Sequence, residues 1–253
     1  MKLPFYFVPI LAAAGSLCHA ATVSLPFTDE FGGATTDFTP VSNAVVTGSW
    51  ALSAGKYQNT NAAGVTAASL VQATNFVPGQ NFQLVSTFTI TDLASSFSVG
   101  FAALANSANL QTTGVSYYLA DIATDGTLRI GSFNATTFTN TAPFFAGAAG
   151  IGALTASDVV TMTLDGTYSG SSLVLTLSAS KNGGAVASAS TGTINSPFSG
   201  NFFGLRNRDG ATAGSGDTMV VQFENFSMTQ VPEPSVLLIG GLGAIALGLR
   251  RKR

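Results

Sequence analysis

The chain has 253 residues, 46% of them hydrophobic and only 9% charged, with 28 glycines and a formal net charge of −2. Nucleic-acid binding is excluded by the lack of a basic patch, and disorder by aromatic and β-branched residues that are too many and too regularly spaced. The only cysteine, Cys18, and the only histidine, His19, stand side by side near the start.

In chain order, Met1 to Ala20 read as a secretory signal helix. Lys2 charges its front, Leu3 to Leu17 are almost wholly apolar or small, and Cys18-His19-Ala20 sets small residues where signal peptidase reads. The cut is expected between Ala20 and Ala21. A lipoprotein signal at Cys18 is the alternative, with Leu17 standing where a small residue is wanted. The partners implied are the secretion translocon and signal peptidase. With the signal gone, the exported part has no disulfide, no Cys or His nucleophile or base, and no Cys/His zinc site. From Ala21 to Gln230 there remain eleven acidic and five basic side chains, a net charge of −6.

Residues 21–230 read as one domain built of strands. Thr22 to Phe27 form the first, followed by Asp29-Glu30-Phe31, and Ala44 to Leu52 the next. Lys56 to Gln58 and Ser69 to Gln72 are short. Phe82 to Ile90 alternates clearly, with Phe82, Leu84, Phe88 and Ile90 on one face, the period of a half-buried strand. Phe97 to Ala105 follows. Ser116 to Ile122 and Thr127 to Phe133 flank Asp125-Gly126, a hairpin turn signal. Asn134 to Ala156 is rich in Ala, Gly and Thr and reads as a long surface loop. Val159 to Leu164 and Ser172 to Ser180 are expected on either side of a turn around Gly166 and Gly170. Lys181-Asn182-Gly183-Gly184 is a second hairpin turn leading into Ala185 to Ala189. Asn201 to Arg206 and Met219 to Met228 close the domain, with Thr229 and Gln230 as a short linker. Many short strands with turns every 8–15 residues predict an all-β, antiparallel sandwich or jelly roll.

Residues 231–253 are different in kind. Val231, Pro232, Glu233 and Pro234 form a rigid turn that stops the preceding strand. Ser235 to Leu249 carry no charge, and Arg250, Arg251, Lys252 and Arg253 make a basic stop. The apolar run gives a helix of roughly 22 Å against a hydrocarbon core of ~30 Å. The terminal cations fit the positive-inside rule and can snorkel to the headgroups, so a transmembrane helix is expected. This three-part pattern resembles the PEP-CTERM sorting tail of bacterial surface and matrix proteins. The resemblance implies an exosortase-like membrane enzyme as partner and a cut near Val231 to Pro234. An uncut single-span anchor is the alternative. With the cut, the expected course is an inner-membrane intermediate, then the cell surface or extracellular matrix.

The body resembles the concanavalin A-like lectin/glucanase jelly roll. Its marks are Asp29-Glu30-Phe31, Trp50, Lys56-Tyr57, the Phe82 to Ile90 strand, Val99-Gly100-Phe101, Tyr117-Tyr118, Phe203-Gly204-Leu205-Arg206 and Phe223-Glu224-Asn225-Phe226. Members of that fold bind or cut carbohydrate on the concave sheet, or serve as structural modules. The Glu-x-Asp-x-Glu strand of its retaining glucanases is missing, and Glu30 and Glu224 are the only glutamates before the tail. Together with the missing histidine this predicts no catalytic residues and no enzyme; Glu30 and Glu224 face to face in a groove would reopen a divergent polysaccharide hydrolase. Candidate sugar contacts are Trp50, Tyr57, Tyr117, Tyr118 and Asn201, with Arg206 and Arg208 for an acidic polysaccharide. Asn207, Asp209 and Asp217 could gather oxygens for Ca²⁺, though turn chemistry is the plainer account of them; no cofactor is otherwise called for. The expected function is a non-catalytic structural or adhesive module of the cell envelope or matrix; the alternative is a lectin-like module for exopolysaccharide.

Overall fold

Alternation sets the frame of the molecule. Phe82, Leu84, Phe88 and Ile90 are buried while Gln83, Val85 and Thr87 stay half-exposed, as a strand with one face in a core must. The computed structural model describes residues 20–41, 49–110, 112–134, 137–139, 143–144, 147, 150–211 and 215–231. The expected signal and transmembrane helices lie outside them, as does the tail from Pro232 on. Among the described residues all regular structure is strand, and no helix is long and apolar enough to cross a membrane.

The strands, in chain order, begin with β1 (Thr22–Val23), β2 (Phe27–Asp29), β3 (Thr39–Val41), β4 (Ser49–Ser53), β5 (Lys56–Ala62) and β6 (Thr66–Ala73). Then come β7 (Asn81–Asp92), β8 (Phe97–Ala105), β9 (Ser116–Ala123), β10 (Leu128–Asn134), β11 (Thr137–Thr139) and β12 (Val159–Ser169). The last are β13 (Ser172–Lys181), β14 (Ala187–Ser190), β15 (Ile194–Asn195), β16 (Phe202–Asp209) and β17 (Thr218–Val231). They form two sheets. The eight-stranded one runs β1-β6-β16-β8-β9-β10-β11, with β3 also on β6. The nine-stranded one runs β14-β13-β12-β7-β17-β5-β4, with β15 on β13 and β2 on β17. Every pairing is antiparallel except β1 with β6. Spatial neighbours such as β16 and β8 are far apart in sequence, the crossover pattern of a jelly roll. The core lies between the sheets, packed by Phe88, Phe101, Phe203, Phe223, Phe226 and many Leu, Ile and Val side chains.

Four sequence expectations need correction. Thr22 to Phe27 is two strands, because Pro26 has no N–H to give a ladder and the chain crosses there from one sheet to the other. Gly166 is no turn residue: it lies inside β12 opposite Phe82, whose ring fills the space a Cβ would take. The turn is at Gly170, with φ +61°. Thr229 and Gln230 are no linker but ladder residues of β17 paired with Gln83 and Phe82, and the Gln230 side chain bonds both the N–H and the C=O of Val77. The stretch expected as a loop from Asn134 contains β11. The two hairpin turns stand as read. Asn182 and Gly183 both take positive φ, 53° and 68°, as a tight turn that matches strand twist requires.

Candidate functional site

One strand carries two chemistries. In β16 the side chains alternate, so Phe203, Leu205, Asn207 and Asp209 face the other sheet while Arg206 and Arg208 face outward. Arg208 is exposed, but Arg206 is only 5% exposed. The reason is a row of residues in register across four strands. Arg206 pairs with Gly100 on β8, Gly100 with Asp121 on β9, and Asp121 with Arg129 on β10. At Gly100 a Cβ would run into the backbone of Ala120 and Asp121, so only glycine lets the row close.

Asp121 is fully buried. Arg129 grips it with two bonds, Nε to Oδ1 at 2.8 Å and Nη2 to Oδ2 at 2.9 Å. Arg206 Nη1 stands 3.8 Å from Asp121 Oδ2 on the other side. Two guanidiniums and one carboxylate leave a net charge of +1. Arg206 Nε is buried with no hydrogen-bond partner. Its guanidinium carbon is 5.8 Å from the centre of the Phe133 ring. Phe133 stacks on Tyr117 at 4.8 Å and meets Phe138, which is 44% exposed. Burial raises the Tyr117 hydroxyl above its ordinary pKa, and the Arg206 charge beside it pulls the other way. The row reaches solvent through Arg129, whose side chain is 41% exposed.

The remaining candidates fall elsewhere. Tyr57 is buried, stacked between Phe31 and Trp50, with its hydroxyl 2.7 Å from Ser69 Oγ. Trp50 is half-buried on Tyr57 and Phe223. Tyr118 points opposite to Tyr117, into the core; burial pushes its hydroxyl up to about 12, and that oxygen accepts the Phe198 N–H. Neither tyrosine of the pair is exposed. Asn201 is held at the Ala73 backbone. Glu224 pairs with Lys56 at 2.9 Å and Glu30 is exposed beside the Asp29 turn.

Asn207 and Asp209 are strand residues that face inward, not members of a loop, and Asp217 accepts the Ser95 N–H. Among the described residues no three His, Cys, Asp or Glu side chains gather as for a metal. Sequence reasoning did not connect Asp121, Arg129 and Gly100. Asp121 and Arg129 stand equally far from Asp125, so the Asp125-Gly126 turn already implied that they pair.

Residues 230–253 match the PEP-CTERM protein-sorting motif. That motif marks an exported protein carried to the surface as an exosortase substrate. No curated protein matches the chain in sequence. In structure it is similar to the PL-14 alginate lyase from Aplysia kurodai, at 8% identity and TM-score 0.52 over 73% of this chain and 87% of that one. It is similar to lectin II from Ulex europaeus, at 10% identity and TM-score 0.51 over 82% and 99%. It is also similar to the Lotus tetragonolobus seed lectin, at 12% identity and TM-score 0.50 over 83% and 100%. The fold is therefore that of the legume lectins and other concanavalin A-like jelly rolls.

Proposed function

We propose that this exported protein is a non-catalytic adhesive module of the cell envelope or matrix, and that it holds acidic polysaccharide at the Arg129–Asp121–Arg206 row. The observation that carries the reading is the uncompensated positive charge of that row. The half-exposed Arg129 guanidinium brings that charge to solvent, where a carboxylate can meet it. Phe133 and Phe138 give a sugar ring an apolar flank. On this reading the signal is cut between Ala20 and Ala21, and an exosortase cuts near Val231 to Pro234. The mature domain then begins beside Thr39, whose Oγ1 accepts the Ala21 N–H at 3.1 Å.

Cosedimentation of the protein with alginate, with dextran as the neutral control, tests the binding. The expected result is saturable binding to alginate that weakens with salt, and roughly a tenfold loss in Arg129→Ala, the weight of one charge-assisted contact. Absence of binding both to alginate and to the host's own exopolysaccharide leaves a structural module. The intact mass of the protein recovered from its host reads both cuts.

A further inference from the structure

The inward face of β16 meets β5 across the sandwich, and the meeting is polar. Asn207 Nδ2 donates to Asn59 Oδ1 at 3.1 Å from one sheet to the other. β5 runs into an arch at residues 63–65 and returns as β6, which is antiparallel to β16. The strands β5 and β16 therefore run the same way, and two residues further on Asn61 and Asp209 occupy the next layer. All four side chains are fully buried. The first layer is bonded; the second is not. Asn61 Nδ2, Asn61 Oδ1, Asn207 Oδ1 and Asp209 Oδ2 have no hydrogen-bond partner, although Asn61 can donate and the other two can accept. None of these atoms bonds to another.

Asp209 uses its Oδ1 on the Ala211 N–H at 2.9 Å. Among the described residues no Lys or Arg forms an ion pair with it. Its ladder partner is Phe97, and that of Asn61 is Met219, both buried. A water would join the polar atoms but supply no positive charge to the carboxylate, which burial and the nearby Asp217 charge both disfavour as an anion. Oxygen atoms from one carboxylate and two amides, without sulfur or imidazole, suit a hard cation. A cleft lined by Ser95, Ala211, Ser215, Gly216 and Asp217 opens at this end of the sandwich, sharing Ala211 with the Asp209–Ala211 bond.

We infer that Asp209, Asn61 and Asn207 form an interior cation site of the calcium class, completed by water from the cleft and locking β5 to β16. With three protein oxygens the affinity falls in the range of about 10⁻⁴ to 10⁻³ M, typical of extracellular modules. Thermal unfolding of the full chain in detergent, in EDTA and in 10 mM CaCl₂, tests it. Calcium at some tens of Kd raises Tm by about 5–10 °C. Asp209→Asn abolishes that rise and is no less stable than wild type in EDTA, because the uncompensated charge is gone. Asp125→Asn, in an exposed turn, keeps the rise. Should Asp209→Asn fail to fold, Asn61→Ala, which leaves the carboxylate in place, must at least halve it. No rise in wild type, or a full rise in the site variants, overturns the site.

Discussion

The two faces of β16 pose the same problem and meet it differently. Outside, Arg206 is a buried charge matched by a neighbour: Asp121 sits two strands away, and Gly100 clears the space between them. Inside, Asp209 is a buried carboxyl with no such neighbour, only amides that do not bond to it. The lesson is that burial of a charge says little until its partners are counted. Outside, one carboxylate serves two guanidiniums and the excess charge surfaces at Arg129; inside, the carboxylate has no cation paired with it.

The largest expected effect comes from breaking the matched side. Asp121→Ala leaves Arg206 buried and unpaired and should cost about 3 kcal/mol, the low end for a broken buried pair because Arg129 is partly in water. Urea unfolding measures it, and a loss under about 1 kcal/mol would mean that Arg206 finds water instead. Gly100→Ala should cost about 1–3 kcal/mol by forcing β8 and β9 apart, and it should weaken alginate binding at the same time. Stability lost without binding lost would separate the row from the proposed ligand.

The unmatched side should respond in the opposite sense. Asn61→Leu removes two orphan polar atoms and, in EDTA, should be neutral or stabilising by up to about 1 kcal/mol. A clear destabilisation would show that Asn61 is already satisfied in solution.

The smallest effect concerns the tyrosines. Burial raises Tyr57, Tyr117, Tyr118 and Tyr168 above the ordinary value of 10.0. Unfolded tyrosine releases its proton near pH 10 while the folded groups keep theirs. Stability is therefore intact below about pH 10 and falls as pH rises past it toward the folded values. Tyrosinate absorbance should rise together with the loss of β-sheet signal; ionisation while the fold persists would place these hydroxyls in contact with water.

Much of this was legible in the chain itself. The Phe82 to Ile90 alternation, the Asp125-Gly126 and Asn182-Gly183 turns and the Pro-Glu-Pro tail each depend on residues close in sequence, so local chemistry was enough. The pairing of β2 with β17 and the division of Thr22 to Phe27 between two sheets were not read from the chain. Gly166 looked like a turn because its reason for being glycine, the Phe82 ring, comes from a strand eighty residues away.

Sequence by itself determined that the chain is sorted for export by its tail and built of strands, because a motif and a period of two are local patterns. Tertiary structure alone decided what β16 does. Period two sends Arg206 and Asp209 to opposite faces, but a charge is matched or left bare according to which strands lie beside it. Arg206 meets Asp121 through β8, and Asp209 meets Asn61 across the sandwich, each over a gap in sequence that no local pattern spans.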